Sequence, residues 1–149
     1  MAETDERYME IALQQAVKGF NHHEIPVGCI IVCNNKIISK TFNLKETNKD
    51  ATAHAEILAI RQASEQLGNW RLSDCDLYVT LEPCAMCASA IVQARIRKVV
   101  IGTLDNKDGA VISSKHIFEN NHNHKLIVKT KVLETKARKL IDEFLRLKR

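Results

Sequence analysis

The hydrophobic and polar positions along the chain change from helical to extended periodicity and back, and this alternation outlines the fold. Near the N-terminus the apolar side chains recur at helical spacing, with Thr4 or Asp5 available as the N-cap and Gly19 near the end. The pattern therefore predicts an amphipathic helix. Its apolar face is formed by Tyr8, Ala12, Leu13, Ala16, Val17 and Phe20.

Two extended segments follow this helix and are separated by a pair of asparagines. Val27–Cys33 and Lys36–Thr41 are rich in isoleucine and valine, as residues in strands usually are. Asn34 and Asn35 lie between them, and asparagine tolerates the positive φ that a tight hairpin turn requires. The sequence therefore predicts two antiparallel strands joined by a short turn.

The rest of the chain alternates helical and strand patterns. Ala53–Leu67 carries an apolar stripe and is followed by Gly68, which predicts a helix with His54 in its first turn. The strand-helix-strand order after it favours parallel crossovers, a three-layer α/β/α architecture with a mixed five-stranded sheet, and a single domain over residues 1–149. The later predicted elements are a strand at Asp76–Leu81, a helix at Pro83–Gln93, a strand at Lys98–Thr103, a short helical piece near Ser114–Glu119, a weak strand at Leu126–Lys129 and a final helix at Leu133–Arg149.

Composition and charge narrow the class of protein. The 149 residues are 45% hydrophobic and 27% charged, which is typical of one soluble globular domain. No apolar stretch approaches the roughly 20 residues that cross a membrane, and the acidic N-terminus carries no secretory signal, so we expect no membrane partner and a cytoplasmic location. The formal net charge of +4 permits an anionic partner without requiring one.

Cysteine spacing indicates a metal site rather than disulfides. The chain has five cysteines, an odd number, and a reducing compartment would keep them as thiols. Cys84 and Cys87 have the C-x-x-C spacing that lets two thiolates bind one ion, and Pro83 marks a helix start, where the helix dipole favours the thiolate form. His54 is the natural third ligand, because a catalytic zinc has three protein ligands and an open position for water.

Glu56 stands two residues after His54 at the same helix start. A carboxylate in that position can take a proton from a zinc-activated water and deliver it to a substrate nitrogen, which makes Glu56 the candidate catalytic residue. Taken separately, a C-x-x-C pair is also found in redox motifs and protein cores, and a single histidine is often a surface residue. The joint occurrence of H-x-E and P-C-x-x-C favours a hydrolytic zinc site.

These motifs and much of the remaining chain resemble the bacterial tRNA-specific adenosine deaminases, a family within the cytidine and deoxycytidylate deaminase superfamily. The resemblance implies a cytidine-deaminase-like fold, one zinc ion per subunit and a homodimer. It also implies hydrolytic deamination of adenosine to inosine at the wobble position of a tRNA anticodon, by a zinc-activated water. The similar segments are Glu24–Gly28, Asn34-Asn35, Asn43, Thr52–Ile57, Asn69–Leu72 and Tyr78–Ala88.

The resemblance further implies the contacts with the partner, the anticodon stem-loop of a tRNA. Asn43 is expected to contact the flipped nucleotide, and the loop that contains Asp105 is expected to lie beside the anticodon. The chain departs from the family at Val111-Ile112 and at Leu145, two places expected to face RNA. The basic residues of the last helix have two interpretations, a solvated surface or a phosphate contact.

Two other functions remain open at this point. Deaminases of free guanine, cytosine or a nucleoside share the metal signature, and only the pocket would separate them from an enzyme that acts on RNA. A zinc-stabilised RNA-binding subunit without catalysis is the second alternative, although the presence of Glu56 argues against it.

Overall fold

The computed structural model describes residues 2–119 and 124–148 and, within them, a single sheet flanked by helices. Its elements are α1 Ala2–Asn21, β1 Gly28–Cys33, β2 Lys36–Phe42, α2 Ala55–Leu67, β3 Cys75–Leu81, α3 Ala85–Gln93, β4 Lys98–Thr103, a 3-10 turn Ile117–Glu119, β5 Ile127–Lys129 and α4 Glu134–Leu147. None of the helices in these residue ranges has the length and apolar character needed to span a bilayer.

The five strands lie in the order β2-β1-β3-β4-β5. Strand β1 runs antiparallel to both β2 and β3, whereas β3, β4 and β5 are parallel to one another. Asn34 and Asn35 form the β1-β2 turn with φ values of 50° and 64°, the left-handed conformation expected of a tight hairpin. The prediction of a mixed five-stranded sheet is confirmed.

Side chains alternate between the two faces of the sheet and build a hydrophobic core on each. Along β1, Cys29 and Ile31 pack with α2 and α3, whereas Ile30 and Val32 pack with α1. Ala137 of α4 joins the α1 side. Helices on both faces of one sheet give the three-layer α/β/α architecture that the sequence predicts.

The two helices near the metal motifs start later than predicted. Helix α2 begins at Ala55, and His54 is its N-cap in an extended conformation, with φ −73° and ψ 152°. The His54 carbonyl accepts the first helical hydrogen bond, from Leu58, because the preceding residues are engaged in turns. Cys84 is likewise the N-cap of α3, so Pro83 lies before that helix and not within it.

The ends of other elements also differ from the predictions. Helix α1 already includes Thr4 and Asp5, so neither residue is its N-cap. The helical piece predicted at Ser114–Glu119 is reduced to one 3-10 turn. The predicted end of the last helix at Arg149 lies outside the described residues.

Asp5 takes a role that its helical position did not indicate. Its carboxylate is 2% exposed and accepts hydrogen bonds from Tyr78 of β3 (2.6 Å), Lys98 of β4 (3.1 Å) and Lys129 of β5 (2.8 Å). Burial alone would raise the pKa of Asp5, but these hydrogen bonds outweigh it and lower the pKa to about 2. Asp5 therefore ties α1 to three adjacent strands.

We expect Asp5→Asn to lower the free energy of unfolding by about 2 kcal/mol at pH 7. Because the folded pKa lies below the unfolded one, this contribution is complete above about pH 5 and is lost as the pH falls from there through the folded value of about 2. Urea denaturation of both proteins at several pH values measures it. A stability difference that stays constant down to pH 3 would contradict this account.

Candidate active site

The three predicted metal ligands lie together where two helices begin. The His54 Nδ1 atom is 3.7 Å from the Cys84 Sγ atom and 3.6 Å from the Cys87 Sγ atom, and the three ligand atoms are within 4.8 Å of one another. His54 caps α2, Cys84 caps α3, and Cys87 lies in the first turn of α3. Because α2 and α3 pack side by side on one face of the sheet, their N-termini bring these side chains to one point.

This donor set fits zinc. One imidazole and two thiolates are ligands that zinc prefers, and three protein ligands leave a fourth tetrahedral position open, as in catalytic sites. Among residues 2–119 and 124–148, no further histidine, cysteine or carboxylate joins the group. A closed structural site of four protein ligands is therefore not what these residues form.

The two sulfurs differ in their affinity for a proton. The hydrogen bond from Cys87, with a further one from His54, lowers the pKa of Cys84 to about 3. The same contact with Cys84, together with burial, raises the pKa of Cys87 above its usual range. Cys84 is thus a thiolate, and zinc bound by both sulfurs would release the proton of Cys87.

Glu56 lies in the first turn of α2, two residues after the N-cap that supplies the imidazole. Its side chain is 4% exposed. Burial raises the pKa of Glu56 to about 7, and the nearby Cys84 thiolate acts in the same direction. A carboxyl group with this pKa both takes up and releases a proton near neutral pH, which is what a general acid-base catalyst needs.

His54, Cys84 and Glu56 line a cavity of about 460 Å³, and Cys87 is fully buried behind that lining. Asn43 and Asp105, the two predicted substrate contacts, also line it and belong to two different loops. Lys45 and Lys107 lie in the same two loops and add positive charge to the lining. The volume is within the range of small-molecule pockets and is sufficient for a single flipped nucleotide.

The sequence interpretation missed two buried glutamates next to this cavity. Glu24 is 1% exposed and Glu82 is 2% exposed. Burial alone would raise the pKa of each, but hydrogen bonds, led by those from Thr47 to Glu24 and from Ser113 to Glu82, lower both pKa values below the usual range. For Glu82, the signal in the sequence was the position of a charged residue at the end of an apolar strand, in the run Tyr78–Ala88.

Two of the residues expected to face RNA have different environments. Val111 is 2% exposed and belongs to the hydrophobic core, so the expectation that it faces RNA is wrong; Ile112 is 43% exposed.

In α4, Lys136 pairs with Glu10, and Arg138 donates a hydrogen bond to the Leu104 carbonyl. These intramolecular contacts favour a structural role for the first basic residues of that helix.

Known proteins are similar to this chain over nearly its whole length. The model of the cytidine and deoxycytidylate deaminase zinc-binding region matches residues 2–103. The tRNA-specific adenosine deaminase of Bacillus subtilis (strain 168) is 42% identical over 143 residues, covering 95% of this chain and 89% of that protein. The tRNA-specific adenosine deaminase of Aquifex aeolicus (strain VF5) is 46% identical over 140 residues, covering 93% and 92%.

A solved structure extends the similarity to three dimensions. It comes from a study of A-to-I editing by tRNA:A34 deaminases at the wobble position, is 41% identical, has a TM-score of 0.87, and covers 90% of this chain and 98% of that one. The fold implied by the resemblance is thereby confirmed, and zinc is the cofactor of this domain. The chain belongs to the cytidine and deoxycytidylate deaminase zinc-binding family, among its tRNA-specific adenosine deaminases.

Proposed function

We propose that this protein hydrolytically deaminates adenosine to inosine at the wobble position of a tRNA anticodon. The observation that carries the proposal is the 42–46% identity, over at least 93% of the chain, to proteins named tRNA-specific adenosine deaminases. The geometry supports the same chemistry, because His54, Cys84 and the buried carboxyl group of Glu56 line one cavity, and the buried Cys87 completes the His-Cys-Cys group. This is the constellation that zinc-dependent base deaminases use.

His54, Cys84 and Cys87 are the proposed zinc ligands, and each supplies one donor atom to the same point. Zinc held there would supply Lewis-acid activation of water for attack on the C6 atom of adenine. Glu56 would take a proton from that water and deliver it to N1 of the adenine, and would then pass the second proton to the amino group on C6, so that the C6–N bond breaks and ammonia leaves. Its burial excludes bulk water from the proton that it carries.

Asn43 and Asp105 are the proposed substrate contacts. Asn43 is 7% exposed, and its Oδ1 atom accepts a hydrogen bond from the Lys45 amide, which fixes the side chain at the cavity wall. Asp105 accepts hydrogen bonds from the amides of Lys107 and Asp108 and caps the turn that follows it. Both residues present polar groups to a nucleotide bound in the cavity.

We further propose that the enzyme is a homodimer that acts in the cytoplasm. The family resemblance supports the first statement, and the dependence of the site on reduced thiols supports the second. Light scattering after size-exclusion chromatography tests the assembly, and a molar mass near twice 16.9 kDa is expected. A monomer at micromolar concentration would contradict it.

The substrate class is tested by presenting zinc-loaded protein with an anticodon stem-loop that carries adenosine at the wobble position, and in parallel with adenosine, guanine and cytosine as free compounds. We expect inosine from the stem-loop and no ammonia from the free compounds. Release of ammonia only from guanine or cytosine would identify a free-base deaminase. RNA binding without any product would identify a non-catalytic subunit, and either outcome would overturn the proposal.

A further inference from the structure

Two loops contribute to the lining of the active-site cavity, residues 43–52 and residues 105–114. The first carries Asn43 and Lys45, and the second carries Asp105 and Lys107. Neither loop belongs to a strand or an α-helix, so no regular ladder of hydrogen bonds fixes it. Other contacts must therefore hold the side chains that face the substrate.

Glu82 is the internal support of the 105–114 loop. It follows β3 directly, two residues before Cys84, and is 2% exposed. Its Oε1 atom accepts hydrogen bonds from the Asp105 amide (3.0 Å) and the Ser113 hydroxyl (2.6 Å). Its Oε2 atom accepts three more, from the amides of residues 111 (3.1 Å), 112 (2.7 Å) and 113 (2.9 Å). One carboxylate thus accepts hydrogen bonds from both ends of the loop.

Gly109 shows how closely the loop wraps this carboxylate. A Cβ atom on Gly109 would lie 2.3 Å from the Glu82 Oε1 atom and 2.5 Å from the Asp105 carbonyl oxygen. Any side chain at this position would push the loop away from Glu82. The same loop is joined to the helix start by the hydrogen bond from the Ala110 amide to the Pro83 carbonyl (2.9 Å).

Glu24 plays the corresponding part for the 43–52 loop. It is 1% exposed, and its Oε1 atom accepts a hydrogen bond from the Glu46 amide (3.1 Å). Its Oε2 atom accepts two more, from the amide and the hydroxyl of Thr47 (each 2.6 Å). Each of the two loops is therefore hydrogen-bonded to a buried glutamate, the 43–52 loop to Glu24 and the 105–114 loop to Glu82.

We propose that Glu82 and Glu24 are positioning residues for the substrate, which set the two loops at the spacing that the flipped nucleotide requires. This inference rests on the proposed function for the identity of the substrate. The physical basis is that a carboxylate offers only acceptors, whereas every partner in these contacts is an N–H or O–H donor. Loss of the acceptor leaves buried donors unpaired, so the loop moves to regain partners.

Glu82→Gln is the sharpest test, because glutamine keeps the shape but places an amide donor against amide donors. We expect amide hydrogen exchange to accelerate about tenfold or more in the loop that Glu82 supports and to stay unchanged in the other. Glu24→Gln should give the reverse pattern, so each variant controls for the other. The reporting amides are those of Asp105, Val111, Ile112 and Ser113 for Glu82, and those of Glu46 and Thr47 for Glu24.

Kinetics on the stem-loop give the second readout. In Glu82→Gln we expect kcat/KM to fall about tenfold or more, mainly through KM, with zinc content unchanged. Gly109→Ala should act in the same direction, and the double variant should lose less than the product of the two single losses, since both disturb one contact. Asp5→Asn is the matched control: it removes a buried, hydrogen-bonded carboxylate that does not line the cavity and contacts neither loop, and it should leave loop exchange and KM unchanged.

Unchanged exchange and unchanged KM in Glu82→Gln, or equal changes in Asp5→Asn, would overturn the inference. If Glu82→Gln does not fold, Gly109→Ala and Ser113→Ala carry the same test from the loop side. The exchange measurement needs no substrate, and so it separates this inference from the proposed function. A wild-type protein without activity on RNA would refute the function and leave the result on loop support standing.

Discussion

Replacement of Glu56 by glutamine is expected to lower inosine formation about a thousandfold or more, while the protein keeps its zinc and its fold. Glutamine fills the same buried space beside the ligand group but neither takes nor gives a proton near neutral pH. The carboxyl group with a pKa of about 7 has both abilities, and its removal leaves the proton transfers to bulk water. Rates with the stem-loop substrate and zinc analysis of the same sample measure the effect.

Glu65→Gln is the matched control for this substitution, because it makes the same chemical change on an exposed position of the same helix. We expect its rate, zinc content and thermal stability to equal those of the wild type. A Glu56→Gln protein that retains more than a tenth of wild-type activity would remove Glu56 from the mechanism. Loss of zinc in Glu56→Gln would instead assign this residue to holding the metal.

Cys87→Ala is expected to abolish stable zinc binding, reduce deamination to background and lower the melting temperature by several degrees. Two remaining donors leave the ion without the third protein ligand that catalytic zinc sites use. Metal ligation also contributes to folding, because the site is assembled only in the folded chain. Metal analysis after dialysis, thermal unfolding and the stem-loop assay together measure these effects.

Cys75→Ala provides the comparison for Cys87→Ala. Both cysteines are fully buried, but Cys75 lies at the start of β3 and outside the metal group. It should lose the packing of one sulfur atom and its contact with Cys33, about 1 kcal/mol, with zinc and activity retained. Equal zinc binding by Cys87→Ala and the wild type would contradict the proposed ligand set.

The sequence predicted the elements whose signals are local. The hairpin at Asn34-Asn35 and the central strands follow from side-chain type and period alone. The grouping of His54 with Cys84 and Cys87 could also be predicted, because zinc chemistry demands a third donor near the C-x-x-C pair. The packing of α2 beside α3 then brings these residues together, as the motif requires.

The missed features depend on contacts between distant parts of the chain. Asp5 looked like a helix cap, yet its partners Tyr78, Lys98 and Lys129 lie on three strands far along the sequence. Val111 belongs to a loop that the family resemblance placed beside RNA, but its side chain completes the core. Glu82 was noticed only as part of a similar segment, since hydrogen bonds to loop amides leave no periodic pattern in the sequence.

The central claim is that this site converts the wobble adenosine of a tRNA anticodon to inosine. The most direct measurement uses two anticodon stem-loops that differ only in the position of a single adenosine, at the wobble position or one nucleotide away. Inosine is mapped by reverse transcription after incubation with zinc-loaded protein. Conversion at the wobble position, with at most a trace in the displaced substrate, is the predicted result. Equal conversion of the two stem-loops, or no inosine in either, would contradict it.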